Sequence, residues 1–152
     1  MKTQFMETVK SRNTLLAMLL AGSALFNPLL AHAAEKSEAA TTIPASSEAI
    51  WQSIDKETEQ LTAVIQAAKL DDVHHHAFAI RDLVAALSSH SGNMPTEKLA
   101  QVKANAKFVV TLAARLDTAG DAKDKAATEA NFQKLKDVLK TIRANYSGSA
   151  KK

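Results

Sequence analysis

Three consecutive histidines, His74, His75 and His76, follow two aspartates, Asp71 and Asp72, and this is the one local pattern in the chain with evident chemical capacity. Neighbouring side chains on an α-helix point about 100° apart, so the triplet cannot close on one ion by itself. Spacings of three and four residues do share a helix face, which pairs Asp71 with His75, and Asp72 with both His75 and His76. Imidazoles at a helix N-terminus are held toward the neutral form that ligates metal, because the helix dipole disfavours their protonation. Asp71, Asp72, His75 and His76 are therefore the candidate metal ligands, with His74 a lesser one on another face. Imidazole and carboxylate donors suit divalent copper, nickel or zinc, and the pattern leaves the choice among them open.

The other chemistries find little support. There is no cysteine, which removes thiol catalysis and thiolate sites, and Met94 is the only methionine beyond the first 33 residues, so a soft copper(I) site is poorly supplied. No histidine or methionine falls mid-way along an apolar stripe, so haem lacks axial ligands and is not expected. Glycine-rich phosphate loops and the G-x-S-x-G and H-E-x-x-H motifs are missing, and the expectation is a non-enzymatic protein with no catalytic residues.

Residues 1–33 carry the expected address. Lys2, Lys10 and Arg12 precede an apolar run from Leu15 to Leu30, and Ala31-His32-Ala33 offers small residues one apart. This is the pattern of a secretory signal peptide cleaved after Ala33 or Ala34, giving a periplasmic protein. The unbroken apolar stretch falls well short of the ~20 residues needed to cross a bilayer, so no span is expected after cleavage. What remains is about 118 residues, one domain's worth. From Glu35 onward sixteen lysines and arginines face fifteen aspartates and glutamates, a net of +1. The basic isoelectric point of the whole chain therefore does not argue for nucleic acid.

The elements that must position the histidines are helices. Residues 34–47 are small and polar with Pro44, a flexible leader. Four apolar stripes at helical period follow, over about 48–69, 72–88, 95–117 and 121–146, and 147–152 reads as a disordered tail. Gly120 suits the left-handed residue closing the third helix, Asp121 and Asp124 suit the cap of the fourth, and Pro95 suits the first turn of the third. The first junction has no glycine or proline. Asp71 or Asp72 would cap the second helix there, and one continuous helix from Ser47 to Leu87 is the alternative. Short connections make successive helices antiparallel neighbours, so the expected fold is all-α, an up-down-up-down antiparallel four-helix bundle. That topology would bring Asp117, Asp121 and Asp124 to the histidine end. Trp51 and Tyr146 would meet at the other end, and Phe78, Phe108 and Phe132 would lie in the core.

The stretches KLDDVHHHAFAIRDLVAAL (69–87), KFVVTLAARLDTAGDAKD (107–124) and NFQKLKDVLKTIR (131–143) resemble small exported helical proteins encoded near bacterial heavy-metal and copper efflux systems. The resemblance covers about Trp51 to Arg143 and is one of pattern rather than of a diagnostic motif. In architecture the chain is also similar to periplasmic four-helix bundles that include b-type cytochromes and metal-sensing resistance proteins, though without the cytochromes' axial ligands. The resemblance implies a metal-homeostasis role beside an efflux or envelope partner and transfers no particular ligand. Two functions stay open: a metal-binding or metal-sensing accessory to efflux or tolerance, and a ligand-free structural or interaction module of the envelope. Leu112 or Phe108, if exposed, would be the contact of a homodimer.

Overall fold

The computed structural model describes residues 40–92 and 94–147. The expected signal peptide, the first part of the leader and residues 148–152 of the tail lie outside the described residues. What is described is all-helical: α1 (Ser47–Gln66), a single 3-10 turn (Leu70–Asp72), α2 (Val73–Leu87), α3 (Thr96–Asp121) and α4 (Lys125–Ser147). Ser46 starts α1, its hydroxyl accepting from the Ala49 N–H at 3.2 Å. Asp124 does the same for α4, where Oδ1 accepts from the Ala127 N–H at 2.9 Å. Pro95 sits just before α3 rather than inside its first turn, and its carbonyl accepts from the Leu99 N–H at 3.0 Å.

α1 and α3 end in the same way, and neither uses glycine as its left-handed residue. At the end of α1, Ala68 (φ 55°) lets its own N–H reach Ile65 O at 3.1 Å and the Lys69 N–H reach Val64 O at 2.9 Å. At the end of α3, Lys123 (φ 56°) sends its N–H to Gly120 O and the Asp124 N–H to Ala119 O, both at 2.9 Å. Each pair of bonds satisfies two carbonyls that a helix end would otherwise leave open. Gly120 is therefore not the closing residue that its position suggests. It lies inside α3, and a β-carbon there would stand 2.7 Å from Leu70 O and 3.3 Å from Val73 Cβ. Its missing side chain is the space into which the 3-10 turn fits.

Asp72 precedes α2 but makes no capping hydrogen bond through its side chain, because the 3-10 turn already leads the backbone into the helix. The helices pack in sequence, α1 on α2, α2 on α3 and α3 on α4, while α1 meets α4 only sparsely. The buried faces follow the expected stripes: Ile50, Ile54, Leu61 and Ile65; Val73, Ala77, Ile80, Val84 and Leu87; Val102, Val109, Ala113 and Leu116; Phe132, Leu135, Leu139 and Ile142. Ala68, expected on the first stripe, is exposed because α1 ends at Gln66. Leu112 is buried as well. Phe108 departs from its expected place in the core and is 60% exposed, because Val109 and Leu112 occupy the inward positions of that turn.

Trp51 and Tyr146 meet edge to face, with ring centroids 5.7 Å apart, and tie the start of α1 to the end of α4. The hydroxyls of Ser91, in the α2–α3 loop, and Tyr146 share a hydrogen bond at 2.7 Å, and the Tyr146 hydroxyl also reaches Leu87 O at 3.3 Å. Burial raises the Tyr146 phenol above its usual 10.0, and the Ser91 hydrogen bond opposes the shift.

Gly120→Ala should lower unfolding free energy by about 1–3 kcal/mol, since the contact to be relieved is backbone. Ala68→Gly should raise it by about 1 kcal/mol by removing left-handed strain; urea unfolding reads both. Tyr146 is the sole tyrosine, so phenolate absorbance follows it directly. A raised folded value means its contribution is complete below pH 10.0 and is lost as pH climbs through the folded value. The folded chain should ionise at higher pH than the urea-unfolded chain, and coincident curves would contradict the burial.

Candidate functional site

A groove of about 340 Å³ runs along the junction of α1 and α2. Ser53, Lys56, Glu57 and Gln60 line it from α1, and His75, His76, Phe78, Ala79, Asp82 and Leu83 from α2. Thr41 and Thr42 of the leader lie against it, and the Thr41 hydroxyl donates to Asp82 Oδ2 at 3.3 Å. The opposite oxygen of Asp82 receives Arg81 Nε at 2.8 Å, and the Arg81 guanidinium lies 4.4 Å from the centre of the Phe78 ring. The leader is thus tied to α2 at Thr41 by the carboxylate that Arg81 orients.

His76 is held across the groove by α1. Its Nδ1 is 2.8 Å from Glu57 Oε2, with both side chains partly buried. In the neutral ring a carboxylate at Nδ1 favours the tautomer with the proton there and the lone pair on Nε2. His75 is exposed and packs on His74, with ring centroids 3.7 Å apart. His74 turns inward to 6% exposure, and its Nδ1 donates to Asp71 O at 2.8 Å. It therefore ties the 3-10 turn to α2.

The four expected ligands divide into two groups. His75 and His76 share the groove. Asp71 forms an ion pair with Lys123 of the α3–α4 turn, and Asp72 is exposed; neither lines the groove. The expected same-face pairing assumed unbroken α-helix from residue 71. The 3-10 turn has about three residues per turn rather than 3.6, and it rotates the aspartates away from the histidine face. Asp124 is used in capping α4, Asp121 ends α3, and Asp117 is half-buried. No three histidine, aspartate or glutamate side chains among the described residues are arranged to hold one ion. Glu57 was beyond sequence reasoning. It lies nineteen residues before His76, and only the α1–α2 register brings the two together.

A second groove of about 230 Å³ follows the α1–α4 seam, lined by Trp51, Ile54, Asp55 and Thr58 on one side and Lys136, Leu139, Lys140 and Arg143 on the other. Arg143 pairs with Asp55 at 2.5 Å and stacks 4.3 Å from the Trp51 ring centre. The Trp51 indole N–H is buried and finds no acceptor among the described residues.

No protein-family model, curated protein or solved structure matches this chain.

His74→Ala should destabilise the chain by about 1–3 kcal/mol, since it removes a buried ring and leaves Asp71 O without its donor. His75→Ala, at an exposed position, should change stability by less than about 0.5 kcal/mol. Equal effects in urea unfolding would show that His74 is not the structural member of the triplet.

Proposed function

We propose that this is an exported, periplasmic, non-enzymatic protein that binds or senses a divalent transition metal in the α1–α2 groove, as an accessory to metal efflux or tolerance. The observation that carries the reading is the pairing of His76 with Glu57 beside His75 on one groove wall. The carboxylate fixes the tautomer in which Nε2 can ligate, which is the usual outer-shell support of a metal-bound histidine. Copper(II), nickel(II) and zinc(II) all accept such a nitrogen. Two imidazoles leave most coordination positions to water or to a donor from outside, so the bound ion would exchange readily. Exchange of that kind suits sensing or hand-over to an efflux partner better than storage.

The architecture that goes with this reading is the up-down-up-down antiparallel bundle. Short connections and the meeting of Trp51 near the start of α1 with Tyr146 near the end of α4 support it. The signal-like residues 1–33 support export. A second reading, a ligand-free interaction module of the envelope, is favoured by the outward-facing Phe108 and Val110 on α3, at 60% and 49% exposure. A second copy of the chain or an envelope protein would cover that face.

Calorimetric titration of the tag-free protein with copper(II), zinc(II) and nickel(II) separates the two. The first reading expects saturable heat with at least one ion. Affinity should fall about tenfold or more in the His75→Ala/His76→Ala variant, and less in Glu57→Gln. The same ion should raise the melting midpoint of the wild type. Absence of heat, or equal heat in the double variant, removes the metal reading and leaves the interaction module.

A further inference from the structure

The α1–α4 groove has a chemistry unlike that of the histidine groove. Three of its side chains are cationic, Lys136, Lys140 and Arg143, and one is anionic, Asp55. Arg143 is paired with Asp55, while neither Lys136 nor Lys140 meets a carboxylate among the described residues. The surplus charge borders an apolar wall of Trp51, Ile54 and Leu139, with the Lys136 ammonium 4.9 Å from the centre of the Phe132 ring. In that wall the Trp51 side chain is more than nine-tenths buried, and its N–H lacks an acceptor. A buried donor without a partner is uncommon in folded proteins and calls for an explanation.

We infer that this groove binds a small organic anion, a carboxylate or phosphate carried on a single apolar ring. The anionic oxygens would meet Lys136 and Lys140, one of them would accept from the Trp51 N–H, and the ring would lie against Ile54 and Leu139. A volume of about 230 Å³ is below that of sites for drug-sized ligands, which places the occupant at one ring rather than two or three. The Arg143 guanidinium lies over the face of the Trp51 ring and is itself partly exposed, so it can shift as a ligand enters. The location also fits. α1 and α4 touch only sparsely, and a ligand bridging them would strengthen the least-contacted seam of the fold. A cation would be repelled by the lysines, and a neutral ring would leave their charge unanswered. The inference is independent of the metal reading.

The chain has a single tryptophan, so its indole N–H gives one identifiable resonance in a nitrogen–proton correlation spectrum. The tag-free ¹⁵N-labelled protein is titrated in metal-free buffer with benzoate, phenyl phosphate, benzamide and benzylamine. The expected result is a saturable shift of the Trp51 indole peak with benzoate or phenyl phosphate, the tighter of the two naming the anionic group. Benzamide and benzylamine should give no saturable shift. The Lys136→Gln/Lys140→Gln variant alters only exposed side chains and should bind about tenfold more weakly while keeping a dispersed spectrum. No saturable shift with either anion overturns the inference. Equal shifts with benzamide, or unchanged affinity in the lysine variant, would make the groove an apolar crevice without anion selectivity and overturn it as well.

Discussion

The carbonyl oxygen of Leu70 occupies the space that a side chain at residue 120 would fill, and the geometry of the histidine segment follows from that close approach. α3 can receive the 3-10 turn only where it carries no β-carbon. With the turn seated there, Val73 packs against Gly120, α2 starts at a fixed height on α3, and the three histidines take their separate directions. His74 closes inward on the turn through Asp71 O, His75 is left exposed, and His76 reaches across to α1. The Asp71–Lys123 ion pair joins the same two segments from outside. Both of its partners are exposed, so it adds little beside the backbone fit.

This arrangement makes the histidine triplet three residues with three tasks rather than one cluster. One imidazole is structural, one is held by a carboxylate on the neighbouring helix, and one is exposed and stacked on the first. The two that line the α1–α2 groove sit beside a leader tied to Asp82 by Thr41, so the groove is lined by two helices and by the leader. Such a site can recruit a donor from outside the chain, which is why exchange rather than permanent storage fits the proposed role.

The two grooves also differ in what holds them. The α1–α2 groove lies on a well-packed helix pair, with His76 bonded to Glu57 and Thr41 to Asp82. The α1–α4 groove lies on a sparse seam closed by the Trp51–Tyr146 contact and by Arg143 bridging Trp51 and Asp55. Aromatic edge contact and a stacked guanidinium can hold two helices together without a continuous apolar layer between them. A seam of this kind leaves room for a small molecule where a fully packed one would not.

Periodicity by itself determined that the chain is helical and which faces are buried, because a 3.6-residue apolar repeat is a local property and each stripe here is one-sided. The sequence offered both Asp121 and Asp124 as caps of the fourth helix, and the structure uses Asp124, with Asp121 still inside α3. Tertiary structure alone decided the rest. The left-handed positions fell to Ala68 and Lys123 because packing forces a turn there whatever residue is present. Gly120 is required by a neighbouring backbone, Phe108 faces out because two adjacent residues already fill the interior, and Glu57 is paired with His76 by interhelical register. Each of these depends on where a distant segment lies, and no window of sequence around the residue carries that information.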